Sequence, residues 1–122
     1  MFEKKCWGEV WHIFTSDHAA VSHLKLVAGF CCSIHKHLER ANMFAVLSGR
    51  LVVEVWEAGS IASFELGPGD THTVRSCVRH RFTVLEDGEA IEVYWPDHAE
   101  GRVRQDDIVR YSLGGAANGQ YS

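Results

Sequence analysis

Residues 29–42 read GFCCSIHKHLERAN and contain two histidines, His35 and His37, at the end of a strand-like run. Because side chains two positions apart lie on the same face of a strand, both imidazoles should project the same way. The pair is half of a metal site, or alternatively the polar end of a solvated strand. A third histidine, His80, opens another strand-like run after a turn-rich segment. This pattern favours an antiparallel barrel whose mouth collects ligands from separate strands.

The rest of the chain also reads as strands. Short β-branched or aromatic runs alternate with turn signals roughly every 8–12 residues, which is typical of an all-β sandwich or barrel. The predicted strands are 7–14, 22–28, 30–35, 43–56, 61–66, 81–85 and 90–95, and the last two are separated by a predicted turn at 86–88. The 122 residues suffice for one domain, predicted over 1–113, with a flexible tail at 114–122.

The charge and composition of the chain argue against some classes of binding partner. Twelve Lys and Arg against sixteen Asp and Glu give a net charge of −4, so neither nucleic acid nor an anionic membrane is expected as a partner. The N-terminus has no apolar signal region, and no apolar run approaches the length of a membrane span. The four cysteines form no C-x-x-C pair and are expected to be reduced thiols. We therefore expect a cytoplasmic protein.

Two segments together resemble the cupin superfamily. Residues 29–42, closed by Gly49, are similar to the first cupin motif, and residues 69–82, GDTHTVRSCVRHRF, are similar to the second. The resemblance implies a single cupin double-stranded β-helix, a jelly-roll-like barrel. It also implies one divalent metal ion (Fe, Zn, Mn, Ni or Cu) held by His35, His37 and His80. Asn42 stands where the family usually has a fourth ligand, Glu, and residues 75–77 replace its Pro-Pro-Gly turn.

A narrower resemblance within that superfamily is to the cupin-type mannose-6-phosphate isomerase domain. It is carried by WGEVW at 7–11, SGR at 48–50, IEV at 91–93 and, above all, DDIVR at 106–110. This likeness implies that Arg110 belongs to the active site and binds the substrate. The alternative is a surface arginine paired with Asp106 or Asp107.

Asn42 changes the expected charge of the site. With three neutral imidazoles and an amide, a divalent metal keeps its full charge, which favours an anionic ligand. Amide oxygen is a weaker ligand than carboxylate, so metal affinity should fall. Asn42 is thus either a fourth ligand or a hydrogen-bonding partner of a bound water or the substrate. Replacement of the fourth ligand by Glu39 would require a different loop.

Two further residues are candidates for the reaction itself. Alternation puts Glu92 on one face with Ala90 and Tyr94, and the resemblance places this strand along the pocket. A carboxyl group against a partly apolar wall has a raised pKa and suits a general base, whereas a solvated edge-strand Glu is the alternative. His72 could reach the pocket rim and bind substrate, or remain a surface residue.

These observations lead to one function and two alternatives. The leading hypothesis is an enzyme, a metal-dependent isomerase of a sugar phosphate that works through a metal-stabilised enediolate. The first alternative is a three-His non-haem iron dioxygenase, and the second is a non-catalytic module that binds sugars or small anions. All three imply a small anionic or polyhydroxylated ligand. Strands that are apolar on both faces also predict a homodimer.

Overall fold

The computed structural model describes residues 2–117, and every regular element in that range is a β-strand. The predicted all-β class is confirmed. A membrane-spanning helix is absent from this range, since none of its residues is helical. In chain order the strands are β1 (Phe2–Lys5), β2 (Gly8–Thr15), β3 (Ala20–Leu26), β4 (Phe30–Cys31), β5 (His35–Lys36), β6 (Arg40–Glu57), β7 (Ser60–Leu66), β8 (Thr71–Val74), β9 (Arg79–Pro96), β10 (Val109–Arg110) and β11 (Gly115–Ala116).

The two longest strands, β6 and β9, pair antiparallel along almost their whole length. Their register shifts near the middle, between Val46 and Leu51, where Gly49 has a φ of 76°. A Cβ atom on Gly49 would lie 2.5 Å from the carbonyl oxygen of Asp87, so only glycine permits this approach. Such irregularities bend a sheet. The predicted turn at 86–88 is therefore wrong: the chain continues through Gly88 as one bent strand.

The bend divides the sheet into two layers that share a core. One layer contains the first half of β6 and the second half of β9, flanked by β8 and by β3, β2 and β1. The other contains the remaining halves, flanked by β7 and by β4 and β5 with their partners β11 and β10. Phe44 of the first layer meets Phe82 of the second with ring centroids 5.7 Å apart. Trp7 packs edge-on against Phe82 at 4.8 Å.

The C-terminal segment crosses the predicted domain boundary at Leu113. Gly115 and Ala116, on the tail side of that boundary, pair with Cys31 and Phe30 of β4. This pairing extends the layer that carries the first two histidines. Residues 118–122 of the predicted tail lie outside the described residues.

Candidate metal centre

Three histidines converge at the ends of β5 and β9. His35 pairs directly with His80 across the two strands, and their ring centroids are 4.5 Å apart. His37 follows one residue after β5, with its ring centroid 5.0 Å from that of His35. One ring nitrogen from each histidine lies within 4.8 Å of the others. The spacing in the sequence thus translates into one cluster of three potential ligands.

Hydrogen bonds fix the orientation of each imidazole. The Nδ1 atoms lie 2.8, 2.7 and 2.9 Å from the carbonyl oxygens of Ser33, Asp107 and Val78, in the order His35, His37 and His80. A carbonyl oxygen can only accept, so each Nδ1 carries the proton and Nε2 keeps its lone pair. Histidines that bind a metal through one ring nitrogen commonly donate a hydrogen bond from the other in this way.

Burial keeps the three imidazoles neutral. The loss of hydration lowers the pKa of His35 to about 2, of His37 to about 3 and of His80 to about 4. The Nε2 atoms of His37 and His80 are buried and have no hydrogen-bond partner among residues 2–117. Neutral imidazoles with unpartnered lone pairs are what a divalent metal requires. The cluster and its chemistry therefore fit such an ion, although three imidazoles do not specify which one.

The DDIVR segment holds the loop that carries His37. The Asp107 carboxylate accepts hydrogen bonds from the backbone N–H groups of Leu38 and Glu39, at 2.8 and 3.0 Å. The backbone carbonyl oxygen of Asp107 accepts the hydrogen bond from Nδ1 of His37. From the other side, the Cys77 N–H donates to the His37 carbonyl over 2.6 Å. Glu39 is not part of the ligand cluster, so the alternative in which it replaces the fourth ligand finds no support.

Asn42 and Glu92 meet on the inner face of the sheet. Asn42 is fully buried, and its Nδ2 donates to Glu92 Oε2 over 2.9 Å. Its Oδ1 is also buried and has no hydrogen-bond partner among the described residues. Glu92 is 9 % exposed, and burial raises the pKa of its carboxyl group, while hydrogen bonds from Tyr94 and Asn42 oppose that rise.

A cavity of about 300 Å³ opens beside the cluster and brings most of the candidates together. His35, His37 and Glu92 line it. Arg110 lines it as well, because β10 pairs this residue with His35, and its side chain is exposed at the mouth. Among residues 2–117 no ion pair joins Arg110 to Asp106 or Asp107.

His72 is not brought to this cavity. It lies on β8, at the open edge of the sheet, and its ring stacks on Phe64 with centroids 4.3 Å apart. The residues that line the cavity in the described part of the chain do not include it. His72 thus lies outside both the cavity and the histidine cluster, although it is near enough to contribute to the lowered pKa of His80. His80 and Asn42 are likewise not among the lining residues in the described chain.

Arg40 and Tyr94 also line the cavity, and neither was predicted from the sequence as a site residue. Arg40 is 5 % exposed, and its guanidinium carbon lies 4.0 Å from the centroid of the Tyr94 ring. Tyr94 in turn packs edge-on against His37 at 5.6 Å. The signal that could have found Arg40 is strand alternation, since positions 40, 42 and 44 share a face.

Comparisons with protein families and with curated proteins find no match to this sequence. Solved structures do match its fold. Oxalate decarboxylase from Bacillus subtilis at pH 4.6 matches with a TM-score of 0.76 and 17 % identity, over 91 % of this chain and 30 % of that chain. The formate complex of Lactobacillus farciminis oxalate decarboxylase matches with a TM-score of 0.76 and 15 % identity, over 91 % of this chain and 33 % of that chain.

A further Bacillus subtilis oxalate decarboxylase structure, determined for its Mn(II) centres, has a TM-score of 0.75 and 16 % identity, over 91 % of this chain and 30 % of that chain. This chain therefore spans about a third of the length of these proteins. At such low identity the matches show the fold alone, and that fold is the predicted cupin barrel. The narrower likeness to mannose-6-phosphate isomerases is not supported by these matches and stays a prediction.

Proposed function

We propose that this chain is a metal-dependent isomerase of a small anionic sugar, such as a sugar phosphate. The observation that carries the proposal is the buried carboxyl group of Glu92, which faces the same cavity as His35 and His37. An aldose–ketose interconversion needs such a base beside a Lewis acid. The matched structures are described as oxalate decarboxylases, and oxalate is also a small anion.

Each residue has a stated role in this reaction. His35, His37 and His80 would hold the divalent ion, which supplies Lewis acidity toward the substrate oxygens. Glu92 removes a proton from the hydroxyl-bearing carbon and returns it to the neighbouring carbonyl carbon. The hydroxyl proton passes to the former carbonyl oxygen, so atoms balance and no oxidant is needed. Arg110 holds the anionic group of the substrate through its planar fork of N–H donors.

The test is turnover of mannose 6-phosphate and fructose 6-phosphate by the metal-loaded protein in D₂O, followed by NMR. We expect interconversion, with deuterium incorporated at the exchanging carbon. Glu92→Gln should lower kcat by about 100-fold or more, because proton transfer is lost. Arg110→Lys should raise KM with little effect on Tm, and His72→Ala should leave turnover unchanged. Equal loss of stability and activity in Arg110→Lys would contradict the role of this arginine.

A second candidate, a non-haem iron dioxygenase, is favoured by one specific observation. No carboxylate of the described chain joins the three histidines, and Asn42 is neutral. Such a ligand set leaves positions for oxygen and a bidentate substrate. Anaerobic loading with Fe(II), followed by oxygen-uptake assays on catechols, diketones and thiols, tests it. Uptake without sugar-phosphate turnover would replace the isomerase proposal.

A further inference from the structure

Arg40 is a buried charge that no hydrogen bond or ion pair satisfies among residues 2–117. Arg40 is the first residue of β6, lines the cavity and is 5 % exposed. Within residues 2–117 its guanidinium makes no hydrogen bond or ion pair, and its Nε is fully buried. Its one close contact is the face of the Tyr94 ring, at 4.0 Å. Stacking of this kind leaves the in-plane N–H donors free.

An unpaired buried cation is unfavourable for the folded protein. Removing a guanidinium from water costs free energy that only hydrogen bonds and an opposite charge can offset. The carboxylate of Glu92 is near enough for the charge of Arg40 to oppose the rise of its pKa, but no ion pair within the described chain joins the two groups. The positive charge is close enough to the ligand cluster to contribute to the lowered pKa values of His37 and His80. The folded chain therefore holds a positive charge beside the histidines that a ligand could compensate.

We propose that Arg40 binds an oxyanion group of the substrate at the inner end of the cavity, beside the histidine cluster. A guanidinium fork matches the oxygens of a carboxylate or a phosphate in two parallel hydrogen bonds. Arg110 lines the same cavity and is exposed, so a ligand meets two arginines there. The substrate class narrows to small molecules that carry a carboxylate or a phosphate group. The inference rests on the cavity being the ligand site of the proposed function.

The experiment measures anion binding by the metal-free protein, so it requires neither metal nor turnover. Oxalate and inorganic phosphate are titrated by calorimetry and by thermal shift, against sodium chloride at equal ionic strength. The variants are Arg40→Met, which removes the charge, and Arg40→Lys, which keeps the charge without the fork. Arg104→Gln is the control, because Arg104 is exposed and lies outside the cavity.

We expect at least one of the two anions to bind and to raise the Tm of the wild type and of Arg104→Gln. Arg40→Met should weaken that binding about 10- to 100-fold, because charged hydrogen bonds are lost. Without anions its Tm should stay close to that of the wild type, because removal of a buried charge is offset by the loss of its attraction to Glu92 and of its stacking on Tyr94. Arg40→Lys should fold and bind with intermediate affinity, and it decides the matter if Arg40→Met does not fold.

Two results would overturn this inference: neither anion binds the wild type, or binding survives unchanged in both Arg40 variants. Binding that needs Arg40, in a protein that turns over no sugar phosphate, would remove the isomerase proposal and leave this inference standing. The anion that binds more tightly identifies the group as a carboxylate or a phosphate.

Discussion

Asn42 donates a hydrogen bond from Nδ2 to Oε2 of Glu92 over 2.9 Å, between the two long strands of the sheet. The sequence points to these residues for separate reasons, one as the residue in the usual fourth-ligand position and the other as a base. In the structure they are one hydrogen-bonded unit. The amide orients the buried carboxyl group, and its own Oδ1 has no hydrogen-bond partner among the described residues.

Asn42→Ala should destabilise the protein by about 1–3 kcal/mol, because the buried Glu92 carboxyl loses a donor. Chemical denaturation of the wild type, Asn42→Ala, Glu92→Gln and the double variant forms a double-mutant cycle. We expect a coupling of about 0.5 kcal/mol or more between the two positions. Strictly additive effects would show that the hydrogen bond contributes nothing.

A divalent metal should stabilise the protein through the histidine cluster. Addition of Zn(II) or Mn(II) at about 100 times its Kd should raise Tm by roughly 10 °C, and chelation should reverse the shift. His80→Ala should lose most of this response. His72→Ala is the matched control, because His72 lies outside the cluster, and it should respond like the wild type. An equal response in both variants would place the metal elsewhere.

Asp107→Ala should weaken metal binding by about 10- to 100-fold, because the loop of His37 loses the carboxylate that fixes it. Calorimetric titration with the same metal measures the change. The neighbouring Asp106→Ala is the control, since Asp106 is exposed and holds no part of that loop through its side chain. The hypothesis fails if the two substitutions alter affinity equally.

Acid should weaken the contact between Asp97 and Arg75. The Asp97 side chain is 8 % exposed and accepts hydrogen bonds from the Arg75 guanidinium and the Ser76 N–H, which hold the pKa of its carboxyl group well below the usual range. Since the folded pKa is the lower one, the contact stabilises the protein above about pH 4, the unfolded pKa, and the effect is lost as pH falls further.

Asp97→Asn should therefore lower Tm at pH 7, and its difference from the wild type should shrink below about pH 4. Thermal melts across this range measure the effect. Asp17→Asn serves as the control, because the Asp17–Arg102 pair is exposed on both sides and contributes little. A Tm difference that does not change with pH would contradict the assignment to the ionised carboxylate.

The predicted homodimer would use an outer face of the sheet. Met43 and Ala45 of β6 pair with Val93 and Ile91 of β9, and all four side chains are half-buried on the side away from the core. We expect light scattering at micromolar concentration to give the mass of a dimer. Val93→Glu should reduce the measured mass to that of the monomer, because it places a charge in this apolar face. Val52→Glu, which places the same charge on the outer face of the other layer, should not.

For β9 the sequence predicted the shared face of Ala90, Glu92 and Tyr94 better than the course of the strand. Glycine and acidic residues such as those at 86–88 form both turns and sheet bends. Only the pairing across the sheet, of Glu86 with Arg50 and of Gly88 with Leu26, distinguishes the two. His35 and His37 followed from their spacing. His80 needed the likeness to a second motif, since no local pattern relates residues 43 positions apart.

Alternation along a strand is a local property of the backbone, so the sequence alone determined that His35 shares a face with His37, and Glu92 with Tyr94. Contact between strands depends on register and loop conformation, which distant residues set together. Only the tertiary structure therefore decided that Asn42 donates to Glu92, that His72 stacks on Phe64 outside the cavity, and that Arg40 is buried over the Tyr94 ring. The electrostatics of the cavity follow from these contacts.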